Sequence, residues 1–415
     1  MIPDRDGETD GSRLRGASAS LVAGAVRDRD PLPGTRGFAG LLANPPISAE
    51  DRAPDARPAD RDPVDCGPVL VRDVLGRQPL FVEADAMDAT EAIDPADPNA
   101  WSFDPGDLRD PDSIPAGSVV SAAGTERRWP LPTPSASDPK PAQAAVDDAV
   151  EAALSDLAVE DAATSSGRLA VAFSGGVDSA LVASAVPDAP CYVAGFEGCH
   201  DVAAAREAAA AMDRDLRVVE LSHDDLRRAI PAIAAATGRR NPMDLNIAVP
   251  LYLTAEAAAA DGFDRLAVGQ GADELFGGYS KVVDPANDHR VEADTVRGAR
   301  TETVRTLPNQ LERDVLALRA AGVEPVAPLL DDRVVDAALR LPGDLLATAD
   351  ERKVALRRAA TGRVPESVRT ADKKAVQYGT YVSREIDRLA RQNGFKRRMD
   401  DHVGQYVDSL LEEHG

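Results

Sequence analysis

The stretch RLAVAFSGGVDSALVASA, Arg168–Ala185, decides the fold. Arg168–Phe173 is an apolar run of strand length. SGGVDSA, Ser174–Ala180, follows without a spacer, and a helix is predicted from about Asp178. Gly175 and Gly176 let the backbone approach a ligand closely and take unusual dihedrals. Ser174 and Ser179 add hydroxyls, and the helix N-terminus adds free amides and the positive end of a dipole, which together make an anion cradle. Asp178 is the odd member, because a carboxylate repels phosphate. It makes sense as a holder of Mg2+, which takes one or two carboxylates along with phosphate oxygens. The plainer alternative is a tight turn before a helix that Ser and Asp merely cap. A bare Gly-Gly would favour that alternative; the full S-G-G-x-D-S behind a strand favours the phosphate site.

Around this stretch, Ala-rich helical periods alternate with strands. Helices are predicted over 143–158, 201–212, 224–237 and 246–261, and strands over Cys191–Phe196, Leu216–Leu221 and Arg265–Val268. Such alternation predicts an α/β fold with a doubly wound parallel sheet, whose ligands sit outside the carboxyl ends of the strands. From about 306 onward only helical patterns appear, among them QLERDVLALRAAG and DDRVVDAALRLP, so the C-terminal part is expected to be helical. Residues 1–34 are polar, small and charged and predict a flexible arm. Between 35 and 132 short apolar runs (RGFAGLLA, GPVLVRDV, QPLFVEA, SIPAGSVVSAAGTERRW) alternate with turn signals and predict a small β-rich domain. PTPSASDPKPAQ makes 133–143 a linker by composition, which leaves 144–415 as the ligand-binding domain.

The bulk composition narrows the function classes. The chain has 415 residues, 43% hydrophobic, enough for two or three domains with cores of their own. Its net charge is −23, and six lysines (Lys140, Lys281, Lys353, Lys373, Lys374, Lys396) stand among 47 basic residues. Such charge repels itself at moderate ionic strength but is largely screened near 1 M salt, where the Debye length is about 3 Å. A high-salt cytoplasm is the simplest setting. The acids are spread everywhere, and no basic face for a nucleic-acid backbone is evident. Cys66, Cys191 and Cys199 have no CxxC spacing, and the five histidines are scattered, so neither a disulfide framework nor a zinc site is signalled. No apolar run approaches 18 residues, so no membrane partner is expected.

A second motif, LAVGQGADELFGGYSK (Leu266–Lys281), places the acid pair Asp273–Glu274 on a glycine-rich turn behind a strand. The residue just ahead, where a third acid would fit, is Gln270. Two further segments matter: AGVEPVAPLLDDRVVDAALRLP (Ala321–Pro342) and KVALRRAATGRVPESVRTADKKAVQYG (Lys353–Gly379).

S-G-G-x-D-S resembles the PP-loop of the ATP pyrophosphatase superfamily (adenine nucleotide alpha hydrolase-like), not the G-x-x-x-x-G-K-S loop of ordinary ATPases. GQGADELFGGY resembles the G-E-G-S-D-E-x-F-G-G-Y signature of the asparagine synthetase family. The two further segments resemble that family's G-V-E-x-R-x-P-F-L-D stretch and its closing stretch, where a lysine precedes a glycine by six residues. VAGFEGCHDVAAA (Val193–Ala205) fits the strand and turn that contact adenosine. The resemblance spans roughly Ala170 to Gly379 in the right order. It implies that Ser174, Gly175, Gly176, Asp178 and Ser179 bind pyrophosphate, and that Asp178 and Asp273 share Mg2+. Phe173, Ala194, Gly269 and Gln270 would line the nucleotide, with Glu274 as a structural acid. Lys373, with Lys374 as a possible substitute, would stabilise charge at the α-phosphate. The implied reaction is adenylation of a carboxylate by ATP, aspartate by default, followed by attack of ammonia or another amine to give an amide.

The sequence departs from the family in two places. The family carries Glu at Gln270, an acid thought to help take a proton from the incoming nitrogen; glutamine can orient by hydrogen bonds but cannot act as a base. The front domain resembles a shortened glutaminase domain, TRGFAGLL resembling the opening C-G-I-F-G. The family's nucleophilic cysteine is matched by Arg36, and the N-G-E glutamine-binding segment has no counterpart between Leu42 and Pro68. Glutamine hydrolysis by this domain is therefore not expected, and Cys66 reads as an ordinary cysteine. The expected partners are a small carboxylate, ammonia or an amine, a separate glutaminase and a second copy in a homodimer. Three competing readings are a ligase for another acid or amine of the β-lactam synthetase kind, a non-catalytic paralogue, and a PP-loop tRNA-modifying enzyme. The retained motif residues weigh against the second, and the lack of a basic face or sulfur-handling cysteines against the third.

Overall fold

The short apolar runs before residue 130 pair as antiparallel strands in a computed structural model that describes residues 11–45, 67–83, 93–163, 167–371 and 380–414. The chain divides into two units, Met1–Pro134 with Arg305–Glu312, and Ser135–Val304 with Arg313–Gly415. In the first unit, β1 (Arg13–Arg15), β2 (Ala39–Leu42), β3 (Val69–Arg72), β7 (Ser118–Ser121) and β8 (Gly124–Arg127) form one sheet in that order. A second sheet has the order β5 (Trp101–Ser102), β4 (Phe81–Glu83), β6 (Pro111–Ser113). Leu70 and Val120 of the first sheet pack with Leu80, Val82, Trp101 and Ile114 in one apolar cluster of this unit. Arg36 is half-buried on the loop before β2, and Cys66 lies outside the described residues.

The expectation of a flexible arm over 1–34 is corrected within its described part. Besides β1, Ala19–Asp28 forms helix α1. Val22, Ala25 and Val26 fall at helical spacing and are buried. Trp129 Nε1 donates to the Ala25 carbonyl at 3.3 Å, and Arg128 Nη2 to that of Val26 at 2.7 Å. Three apolar residues make the stripe, too few to stand out from a polar composition.

The second unit begins with α2 (Pro139–Ala162), which starts inside the stretch that its composition marks as a linker. Proline at the first helical turn forfeits no intrahelical hydrogen bond, so PKP is compatible with a helix start. Strands β9 (Leu169–Ala172), β10 (Cys191–Gly195), β11 (Leu216–Glu220), β12 (Arg265–Ala267) and β13 (Glu324–Val326) form a parallel sheet of order β11-β10-β9-β12-β13. Between them run α3 (Val177–Ala185), α4 (His200–Ala211), α5 (His223–Thr237) and α6 (Pro242–Ala260). Asn241 caps α6, its side chain accepting from the Asp244 amide at 2.9 Å. After β12 come α7 (Ala272–Phe276), α8 (Val296–Val304) and α9 (Leu307–Ala320), and after β13 α10 (Asp332–Leu339), α11 (Gly343–Leu346), α12 (Val354–Ala359) and α13 (Glu366–Arg369). The chain closes with α14 (Val382–Gln392) and α15 (His402–His414).

Chain order runs from β9 outward to β11, then resumes on the other side of β9 with β12. In parallel sheets a crevice opens outside the carboxyl ends of the strands where the order reverses, here between β9 and β12. The expectation of helices alone beyond 306 is corrected by β13. Pro325 interrupts any apolar alternation there, and a proline without an N–H is tolerated because β13 is the sheet edge. Ala170, Tyr192, Leu226, Ile230, Leu253 and Leu266 belong to a cluster that α14 and α15 complete with Ile386, Leu389 and Val407. No helix among the described residues is long and apolar enough to cross a membrane.

Asp387 holds the last two helices together. Its carboxylate accepts from Arg397 Nη2 at 2.8 Å and Arg391 Nε at 3.0 Å, with His402 Nε2 at 2.8 Å. Arg397, working with His402 and Arg391 against partial burial, holds the acid well below its ordinary range. A depressed carboxylate contributes stability above its unfolded value of about 3.9, and that stability is lost as pH falls from there through the folded value. The Arg391 and Arg397 side chains are 44% and 70% exposed, so solvent screens both pairs and Asp387→Asn is expected to lower stability at neutral pH by only about 1 kcal/mol. Thermal melts should also show a shallower loss below pH of about 4 in the variant. Parallel profiles for the two proteins would refute the assignment.

Candidate active site

β9 ends at Ala172, and the Phe173 amide still donates to the Tyr192 carbonyl of β10 at 2.7 Å. The chain then turns through Ser174, Gly175 and Gly176 into α3. Gly175 has φ +75°, and a Cβ there would stand 2.5 Å from the Ala204 carbonyl oxygen of α4, so a larger residue is shut out. Ser179 Oγ accepts from the Ser174 amide at 3.3 Å and donates to the Gly176 carbonyl at 3.1 Å, closing the turn on itself. Ala194 is buried within β10, next to β9 in the sheet.

On the other side of β9, the chain leaves β12 through Gly269, Gln270 and Gly271. A Cβ on Gly269 would lie 2.9 Å from Asp178 Cβ and 3.1 Å from the Ser179 nitrogen. The end of β12 therefore rests directly on the first turn of α3, which brings α7 and its acids to Asp178. Asp178 is 8% exposed, whereas the Asp273 side chain is 47% exposed.

Between the two acids stands a residue that the sequence reading did not place in the site, Lys353. Its Nζ is 2.7 Å from Asp178 Oδ2 and 2.7 Å from Asp273 Oδ1, and the residue is 7% exposed. Burial works against the ammonium, but the two carboxylates outweigh it and hold the pKa above the ordinary lysine value. The Lys353 backbone is left-handed, φ +58°. Arg352 Nη1 donates to the Gly278 carbonyl at 2.8 Å and pairs in a bridge with Ala347, which anchors this turn. A Cβ on Gly278 would collide with Asp273 Oδ1 and Lys353 Cε. Gly278→Ala is therefore expected to lower stability by about 1–3 kcal/mol, as overpacking does. An unchanged melting temperature would count against this packing.

Glu274 is 4% exposed. The Tyr279 hydroxyl donates to its Oε1 at 2.5 Å. Burial, helped by the neighbouring Asp273 charge, pushes Glu274 up to about 7. Gln270 has a different partner: its Nε2 donates to Asp314 Oδ2 at 2.6 Å. A carboxylate only accepts, so the amide nitrogen must be the end that meets Asp314. Asp314 Oδ1 in turn takes Arg313 Nε at 2.8 Å, and Arg313 Nη1 reaches Asp244 at 2.8 Å. Arg313 and Asp314 lie on α9, where the sequence shows only charged residues of a helix. Lys373 and Lys374 lie outside the described residues.

Among the described residues no group of three or more His, Cys, Asp or Glu could hold a metal ion. The donor set at Lys353 is two carboxylates, the number Mg2+ takes when phosphate oxygens and waters complete its shell. Asp178 Oδ1 is buried without a hydrogen-bond partner among the described residues. An orphaned carboxylate oxygen beside a shared cation is a fit for a hard cation.

The asparagine synthase profile matches residues 149–302 and 286–414, more than half of the chain. The chain belongs to the asparagine synthase family. Individual relatives are distant. A Methanocaldococcus jannaschii protein assigned as a glutamine-hydrolysing asparagine synthetase is 27% identical over 278 residues, 59% of this chain and 51% of the relative. Asparagine synthetase B (glutamine-hydrolysing) of Escherichia coli is 24% identical over 233 residues, 51% of this chain and 41% of the relative. A Bacillus subtilis asparagine synthetase (glutamine-hydrolysing) is 33% identical over 118 residues, 27% of this chain and 18% of the relative. The chain thus spans about half the length of the first of these relatives and less of the others. The family match begins at residue 149, after the whole of the first unit's strands.

Proposed function

We propose that the chain is an ATP-dependent amide-forming ligase with a PP-loop nucleotide site. It activates a carboxylate as its acyl-adenylate with release of pyrophosphate, and passes the acyl group to ammonia or another amine with release of AMP and a proton. The observation that carries this reading is the convergence of Asp178 and Asp273 on one cation at the carboxyl ends of β9 and β12, beside the Ser174–Ser179 turn. In this reading Ser174, Gly175, Gly176 and Ser179 cradle the departing pyrophosphate, Asp178 and Asp273 hold Mg2+, and Phe173, Ala194, Gly269 and Gln270 line the nucleotide. Mg2+, when bound, offsets charge on the phosphates. Lys373, which lies outside the described residues, would stabilise charge at the α-phosphate, as the resemblance implies. The protein's contribution is positioning and charge stabilisation around the displaced groups.

Aspartate is the default acid, and the nitrogen comes as free ammonia or from a separate glutaminase. Arg36 stands where a nucleophile would be needed, and a guanidinium cannot serve as one, so the first unit is read as a shortened glutaminase-derived scaffold. The Gln270–Asp314 pair favours a second reading of the nitrogen step, in which the amine acceptor differs from that of the relatives. A homodimer and a high-salt cytoplasm complete the proposal. Purified protein in concentrated KCl should release pyrophosphate from ATP when aspartate and ammonia are both supplied. Release with another acid or amine would reassign the substrate, and no release across a panel of both would overturn the ligase reading.

A further inference from the structure

We infer that Lys353 is a resident counter-cation which holds the gap between Asp178 and Asp273 closed until nucleotide and metal arrive together. The two carboxylates come from different elements, α3 and α7, and without a cation they would repel each other at close range. The ammonium removes that repulsion from inside the protein, since its Nζ is 2.7 Å from one oxygen of each acid.

The backbone is committed to this placement. Lys353 takes the left-handed conformation that a non-glycine residue adopts only at a cost. Arg352 and the bare face of Gly278 hold it there. A chain that needed only a capped start for α12 could have used glycine at this position.

A divalent ion that took Asp178 Oδ2 and Asp273 Oδ1, the two oxygens now on Nζ, would compete with the ammonium for them, with Asp178 Oδ1 left over as a further contact. Metal entry onto those oxygens therefore requires Nζ to withdraw, and a buried ammonium withdraws only toward another anion. In the proposed function, on which this step rests, that anion is the phosphate chain of ATP in the neighbouring turn. Lys353 exchanges carboxylates for phosphates as the metal takes the carboxylates. The residue is a positioning group for the metal in the free protein and a phosphate contact in the loaded one.

The inference has a signature that a purely structural lysine would lack: its removal changes metal binding in opposite directions with and without nucleotide. Mn2+ binding to the full chain can be followed by electron paramagnetic resonance in concentrated KCl, with Mn2+ alone and with Mn2+ plus ATP. Lys353→Met is expected to bind Mn2+ alone at least about tenfold more tightly than the unaltered protein, and Mn2+ with ATP more weakly. Lys353→Arg keeps a cation in the gap and should stay weak for Mn2+ alone. Equal or weaker binding of Mn2+ alone by Lys353→Met would overturn the inference. Should that variant fail to fold, the unaltered protein still decides: tight Mn2+ binding without nucleotide would overturn the inference, and weak binding strengthened by ATP would support it. These measurements involve no acid or amine. Failure of the ligase reading would show instead as absent pyrophosphate release, with the Mn2+ results standing by themselves.

Discussion

Asp178→Asn is expected to cut ATP-dependent pyrophosphate release by on the order of a thousandfold, the scale seen when one preorganised electrostatic group is removed from a reacting centre. The carboxylate is 8% exposed, with one oxygen on Lys353 and the other without a partner among the described residues. Asparagine has nearly the same shape, so the turn and α3 should survive. Its charge is gone, however, and one orientation would aim an NH2 donor at the Lys353 ammonium. Breaking one side of a buried ion pair costs about 3–5 kcal/mol where the remaining charge is stranded. Here Asp273 still meets Lys353, so the stability loss should fall at or below that range. Three measurements separate the effects: melting temperature for the fold, equilibrium dialysis for ATP binding, and single-turnover pyrophosphate release for the step itself. A variant that folds, binds ATP and releases pyrophosphate at the unaltered rate would remove Asp178 from the proposed chemistry.

Which parts of this site were legible in the sequence follows from the range over which each signal acts. The β9–α3 turn is local: apolar run, glycines and helix start lie within eighteen residues, Arg168 to Ala185. Asp273 was legible because its acid pair sits in a glycine-rich turn of its own. Lys353 was not, because its place depends on two contacts that close over long stretches of chain. A weak signal existed, since it is one of six lysines in an arginine-rich chain. Arginine would have served at a solvated position, whereas a compact ammonium fits between two carboxylates. The rarity of lysine drew the reading to the adjacent pair Lys373–Lys374 and past the single one. β13 was hidden by Pro325, and α1 by a stripe of three apolar residues. Arg313 and Asp314 looked like the solvated side of a helix, and only the buried fold shows that they face Gln270 and Asp244.

That last pairing changes what a family-guided repair should do. Gln270→Glu restores the residue that the resemblance leads one to expect, yet it is expected to impair this protein. Nε2 of Gln270 is 2.6 Å from Asp314 Oδ2, so a glutamate in the same rotamer would set two carboxylate oxygens against each other. At an effective dielectric of about 20 and a charge separation of about 4 Å, the repulsion is roughly 4 kcal/mol, less whatever rotation or protonation relieves. The unpaired acid would also compete with Asp314 for Arg313, which now bridges Asp314 and Asp244. A loss of about 2–4 kcal/mol in stability is expected for Gln270→Glu alone. Asp314→Asn alone should cost a similar amount, because an asparagine that turns its carbonyl toward the Gln270 amide presents its NH2 to Arg313 Nε and leaves that guanidinium with Asp244 alone among these acids. The double variant, with a carboxylate at 270 and an amide at 314, preserves one donor and one acceptor across the pair. It should be more stable than the sum of the single changes predicts by about 2 kcal/mol, a coupling measurable in a double-mutant cycle. Additive effects would mean that Gln270 and Asp314 do not depend on each other. Non-additivity would mean that the missing acid at 270 is matched by Asp314, and that the two positions must be exchanged together for the nitrogen step to be compared with that of the relatives.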